Sequence, residues 1–331
     1  MPNEIPVNQT EVEVTSAAQE PQNPKPAAPA DSSMGRFAAA VTAADLVKEI
    51  INTPEDEFIP WEEFTLPSRG VYYGGKLPGG IVRVKGMGIH ADKILATQRL
   101  AQSGQSIDYL FKHCVELTDG MSTEDLLAGD RVYLLYLLRG ITHGNDYEFI
   151  MECPSCEARV LQRYDLNELI STVTYPDISI GDEPFKVSLP YMSKRTGHEV
   201  WVKVRFMRGR DISSIANRQK FNKRVHSGMP KRDRSIVIDQ AVTENLSLII
   251  SAFGGADLGG EVVDQIHIKS LVDKLHASDT ATIREFLREK SPGIDTTIQA
   301  SCPECGASFR TELPITESFF RPTSNRAPGG T

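Results

Sequence analysis

The sequence predicts an α+β protein made of one internally duplicated unit, whose halves are joined by a zinc-ribbon-like Cys₄ site. Three observations lead there. Stretches of helical period alternate with short β-branched runs along the 331 residues. The segments "MECPSC" and "ASCPEC" place two Cys-Pro-X-Cys turns 149 positions apart in a chain with only five cysteines. The residues leading into the two turns also agree: Asp130 precedes Cys153 by 23 positions, and Asp279 precedes Cys302 by 23.

In that register Leu138–Arg139 overlies Leu287–Arg288, Gly144 overlies Gly293 and Asp146 overlies Asp295. Upstream, "LPSRG" then "VRVKGM" finds its counterpart in "LPYMS" then "VKVRFM" at an offset of about 120, so the second copy carries about 29 extra residues. The basic stretch 217–235 is the expected place for them. Self-similarity of this kind decides the fold before any single element does.

Composition narrows the class. Hydrophobic residues make up 40% of the chain, enough for a packed core, and the net charge of −8 opposes wholesale nucleic-acid binding while leaving room for local basic patches. No run approaches the roughly 18 apolar residues of a membrane span. The first twenty residues lack a basic start and an apolar run, so no signal peptide is expected. In a reducing cytoplasm, paired cysteines serve metal or redox chemistry more often than disulfides.

Residues 1–33 are rich in Pro, Ala, Glu, Gln and Asn and are expected to be a disordered arm. Residues 34–57 hold a short amphipathic helix with Phe37, Val41, Leu46 and Ile50 at helical spacing, which either packs on the body or hooks a partner. The first repeat is expected over 58–175. "FTLPSRGVYY" and "GGIVRVKGMG" read as strands around a turn at Ser68–Gly70, and "ADKILATQRLAQSG" and "IDYLFKHCVEL" as helices. Ser122 starts a Ser-x-x-Asp cap ahead of "LLAGDRVYLLYLLRGITHG", a helix ended by Gly140 and Gly144, and "NDYEFIMEC" is the strand into the first knuckle. The second repeat is expected over 176–322. Val200, Val202, Val204 and Phe206 alternate as a half-exposed strand, followed by the basic, turn-containing stretch, helices at "AVTENLSLIISAF", "DQIHIKSLVDKL" and "SDTATIREFLREK", and the second knuckle. Residues 323–331 are expected to be a flexible tail.

A zinc ribbon needs four tetrahedral ligands, usually from two CxxC turns. Two related copies packed about a pseudo-twofold axis can each supply one turn. Cys153, Cys156, Cys302 and Cys305 then close one structural Zn²⁺ site per chain, with no open position for catalysis. Zinc binding of this kind contributes folding free energy on the order of 10 kcal/mol or more, so Cys302→Ser is expected to lose the folded state. Two CxxC disulfides, as in a redox enzyme, would need each motif to start a helix; here "EARVLQ" and "GASFRT" read as returning strands. A relic without metal is the other alternative. Cys114 reads as a buried helix residue.

No hydrolase nucleophile, Walker loop or dinucleotide fingerprint is present, and the seven histidines lack metalloprotease spacing. Residues 203–234 carry eleven Lys or Arg against two Asp. Such a patch suits nucleic acid or an acidic protein; with Phe221 the only aromatic of the insertion, a protein partner is favoured.

The order "LPSRGVYY", "VRVKGM", "AGDRVYLLYLLRGITHGNDYEFIMECPSC" and a terminal "FFRP" resembles the baseplate proteins of contractile-tailed, T-even-type bacteriophages, from about Phe64 to Pro322. The resemblance implies a baseplate or hub-associated structural or assembly protein in the phage virion, assembled in the bacterial host cytoplasm. It implies other baseplate and tail proteins as partners, reached through the N-terminal arm and the basic insertion. It brings no catalytic site, membrane span or small-molecule substrate. A zinc-ribbon regulator that binds nucleic acid through the basic insertion is the alternative.

Overall fold

Two β-sheets and two β-ribbons organise the chain, each forming where a short β-branched or aromatic run meets a turn. The computed structural model describes residues 42–54, 58–103, 105–118, 120–228, 241–256, 259–315 and 317–320. The expected arm 1–33, the tail 323–331, and Phe37 and Val41 lie outside them. The chain divides into two compact units, Met1–Glu57 and Phe58–Thr331. In the first, helix α1 (Ala43–Asn52) is capped by Thr42, whose Oγ1 accepts from the Asp45 amide at 3.2 Å.

The second unit opens with strands β1 (Glu62–Thr65) and β2 (Ile81–Val84), antiparallel with Phe64 opposite Val82. Val82 and Val84 turn inward while Ile81 and Arg83 face out, the two-residue period of a half-buried strand. Helices α2 (Ile89–Ala96), α3 (Gln98–Ser103) and α4 (Ser106–Cys114) lead to β3 (Val115–Glu116), which completes the sheet beside β2. Helix α5 (Ala128–His143) then runs into the ribbon β4 (Asp146–Glu152) and β5 (Arg159–Asp165), followed by α6 (Leu166–Ile170).

A parallel order of events follows. Strand β6 (Phe185–Ser188), helix α7 (Pro190–Thr196) and strand β7 (Val200–Val204) lead to helices α8 (Gly209–Gly228) and α9 (Ala241–Ile249). Strands β8 (Ile250–Gly255) and β9 (Glu261–Val262) complete a sheet of order β6-β7-β8-β9. Helices α10 (Gln265–Val272) and α11 (Ala277–Lys290) precede the second ribbon, β10 (Thr297–Ser301) and β11 (Ser308–Glu312), and the short α12 (Glu317–Phe320).

One hydrophobic core collects side chains from both sheets and from helices α5 and α11. Leu134, Tyr136 and Leu138 of α5 are fully buried, each leucine contributing roughly 2 kcal/mol by its removal from water. Backbone contacts sew the earlier and later elements together. Ala128 donates to the Met207 carbonyl at 2.8 Å and Gly209 to that of Leu126 at 2.9 Å. Thr174 and Gly293 exchange bonds of 2.7 and 3.1 Å. Gly129 is needed where α5 meets this seam, because a Cβ there would overlap the Pro292 carbonyl.

Two buried aspartates pin the Leu-Pro turns that follow β1 and β6. Asp130 accepts from the Ser68 amide at 2.9 Å and from the Tyr73 hydroxyl at 2.6 Å; that hydroxyl in turn accepts from the Leu127 amide. Asp279 accepts from the amides of Tyr191 and Met192 at 2.9 and 3.0 Å. Burial pushes the Asp130 carboxyl up, and the Ser68 and Tyr73 donors pull it back.

Several expected elements differ. The helix over "IDYLFKHCVEL" stops at Cys114, and that over "AVTENLSLIISAF" stops at Ile249. In both, the next residues join a sheet, because Val84 and Val204 offer open pairing to Val115 and Ile250. The segment 91–104 breaks at Thr97, whose hydroxyl bonds back to the Lys93 carbonyl at 2.7 Å. Ser122 forms its capping box with Asp125, but around a 3₁₀ turn ahead of α5 rather than on α5 itself. Gly140 lies inside α5, where a Cβ would strike the Asn145 side chain, and Gly144 alone ends it. The basic stretch 217–235 is helical as far as Gly228, for no proline or glycine interrupts α8 between its two terminal glycines; the rest lies outside the described residues. Trp201 is buried along with its valine neighbours, so β7 is covered on both faces.

Candidate metal centre

Each ribbon narrows to a knuckle built from the same hydrogen bonds. In the first, Cys153 donates to the Ala158 carbonyl and Glu157 to the Cys153 carbonyl, both at 2.9 Å. In the second, Cys302 donates to Ala307 at 2.9 Å and Gly306 to Cys302 at 2.8 Å. The residue after each second cysteine is left-handed: Glu157 at φ 59° and Gly306 at φ 71°. That twist reverses the chain tightly enough to aim both sulfurs of a turn to one side. Beyond it β5 and β11 return antiparallel to β4 and β10, the geometry expected from "EARVLQ" and "GASFRT".

The structure brings all four sequence-predicted cysteines together. Their sulfurs lie within 4.8 Å of one another, and this cluster could hold a metal ion. Two approaches of 3.7 Å cross between knuckles: Cys153 Sγ to Cys305 Sγ and Cys156 Sγ to Cys302 Sγ. Cys153 and Cys302 are buried, while Cys156 and Cys305 are exposed. Cys153, Val160 and Cys302 form a small apolar cluster of their own, flanked by Met151, Ala158, Ala307 and Phe309. Gln162 Nε2 adds a bond to the Ser301 carbonyl at 2.9 Å from one ribbon to the other.

The electrostatics suit a cation. The backbone amides of Cys156 and Ser155 point at the Cys153 sulfur and hold its thiol down to about 7. At Cys156 the Ala158 amide pulls the same way, but the Cys305 thiol, burial, and the Cys302 and Cys153 thiols outweigh it, and the group is pushed up to about 12. Four crowded sulfurs cannot all ionise by themselves; a divalent ion removes that conflict. Cys114, buried at the end of α4, takes no part.

The outer faces of the two ribbons differ. On the first, Ile150 and Leu161 are cross-strand partners and stand 57% and 56% exposed. The corresponding pair on the second is Gln299 and Arg310.

A sequence model of the family described as T4 bacteriophage base plate protein matches residues 72–321, most of the chain and the four clustered cysteines with it. The chain belongs to this T4-type phage baseplate family. No curated protein and no solved structure matches it. As a baseplate protein it is a structural component of the phage tail, working among other tail proteins. No helix among the described residues is long and apolar enough to cross a membrane.

The positions of Asp130 and Asp279 were legible as register marks, but their work on the Leu-Pro turns was not. The arginines clustered at 205, 208 and 210 read only as part of a basic stretch. In the fold they share a pocket with Lys76, far away in the sequence.

Proposed function

We propose that this baseplate protein is a non-enzymatic scaffold, a duplicated body riveted by one structural Zn²⁺ on Cys153, Cys156, Cys302 and Cys305. The observation that carries the metal is the 3.7 Å spacing across the knuckles. A tetrahedral zinc with Zn–S of about 2.3 Å separates its sulfurs by about 3.8 Å. All-thiolate, four-coordinate ligation leaves no position for substrate, so the ion's part is to add folding free energy where the ribbons' own apolar cluster is small.

Duplication is supported by element order and spacing. The β1–β2 pair answers to β6–β7. α4 and α9 both have nine residues and both run directly into a strand. Ala128 and Ala277 open α5 and α11, Arg159 and Ser308 the returning strands, in both cases 149 positions apart. The aspartates two residues after those alanines hold corresponding Leu-Pro turns. By this alignment the extra length of the second copy is shared between two places, 15 residues ahead of α9 and 14 between β8 and α11. It is not confined to 217–235.

A rigid two-copy body gives neighbouring subunits fixed surfaces to assemble on. The expected mobile arm 1–33 and the basic residues beyond α8 would add contacts that order on binding. Metal analysis of protein purified without chelator tests the rivet. One zinc per chain, lost in Cys302→Ser, is the expected result. No metal, or a count indifferent to Cys302, removes it, and two per chain would mean that half-sites pair between subunits.

A further inference from the structure

A pocket of about 390 Å³ lies where the turn after β1 meets the segment after β7, within the size range of ligand sites. Lys76, Arg205, Arg208 and Arg210 line it, with Tyr73 and Met121 as less polar wall and Asp125 as the one acid among the lining residues. Two of the arginines are held from behind. Asp211 grips Arg205 with bonds of 2.7 and 2.9 Å. Glu183 holds Arg208 at 2.5 Å, and Arg208 also donates to the Tyr72 and Asp125 carbonyls. Arg210 pairs with the Asp125 carboxylate, half in solvent.

Four cations against three carboxylates leave one positive charge in excess, inside a chain whose net charge is −8. In the alignment of the two copies, Arg208 and Arg210 fall on Gly88 and His90, while Arg205 falls on Lys85, so two of the cations belong to this copy alone. One added carboxylate balances the surplus, whereas a phosphate dianion overshoots it. The tyrosine and methionine walls suit the aliphatic stem that carries such a group.

We propose that this pocket receives an acidic side chain from a peptide segment of a neighbouring protein, with Lys76 and Arg210 taking the incoming carboxylate. This rests on the scaffolding reading and gives it one specific contact. The test is fluorescence anisotropy of a fluorescein-labelled hexaglutamate peptide titrated with the full chain in low salt, with hexaglutamine as the neutral comparison. Hexaglutamate is expected to bind at least tenfold tighter. Lys76→Glu and Arg210→Glu, both surface changes whose melting curves check folding, should each lose at least tenfold, and Lys269→Glu on α10 less than twofold. No preference for hexaglutamate, or equal losses in all three variants, overturns the proposal. So does displacement of the peptide by inorganic phosphate at concentrations where acetate fails. Any of these removes the pocket while leaving zinc content and family membership untouched.

Discussion

Glu157 holds a left-handed backbone at φ 59°, where the matching residue of the other knuckle is Gly306 at φ 71°. A side chain there costs roughly 1–2 kcal/mol, and glycine avoids that cost. Glu157→Gly should therefore raise unfolding free energy by about 1 kcal/mol in urea titrations, and Gly306→Ala should lower it by a similar amount. A destabilising Glu157→Gly would mean that the first knuckle is shaped by its side chain rather than its backbone. This residue also marks a limit of sequence reading. The cysteines were legible because a metal knuckle demands one residue type at one spacing, and both motifs have it. Nothing about a glutamate announces positive φ, and only the alignment with Gly306 hints at it.

Among the elements, the two Leu-Pro turns depend on carboxylates that arrive from helices far along the chain. Replacing Asp130 leaves the Ser68 amide and the Tyr73 hydroxyl without their acceptor; replacing Asp279 orphans the Tyr191 and Met192 amides. Asp130→Ala and Asp279→Ala should each cost about 2–4 kcal/mol, read from urea midpoints. Asn at either position, keeping one acceptor oxygen, should cost clearly less. Costs under about 0.5 kcal/mol for both alanines would show that water replaces the carboxylates and that they are not anchors. Strands were harder to read than helices for a related reason. Val115 and Ile250 follow helical residues without a break, and only a waiting partner strand converts them. The long helices α5 and α11 needed no such partner to be recognised.

At the scale of the molecule, the four-cysteine cluster and the main core are distinct, with Met151 packed against both. The knuckle ends of the ribbons belong to the small cluster around Cys153, Val160 and Cys302, whereas Tyr147, Phe149 and Ile298 at the other ends are part of the large core. If the proposed ion is bound, stripping it with a chelator should therefore open the chain locally. Hydrogen exchange should rise several-fold over residues 151–160 and 300–309 and stay nearly unchanged in α5. That is narrower than the total loss of folding expected of Cys302→Ser from the motifs alone; a chelated protein that unfolds as one unit would restore the broader view. Sequence could place four candidate ligands. It could not say how much core stands behind them, because that depends on which distant side chains α5 gathers.

The unlike outer faces of the ribbons have a consequence for assembly. Were both ribbons alike on the outside, a neighbour could seat against either with equal ease. Ile150 and Leu161 present oil where Gln299 and Arg310 present hydrated groups. Any neighbour that docks on the ribbons thus meets a greasy pair on one and a wet pair on the other, and the two ends cannot stand in for each other.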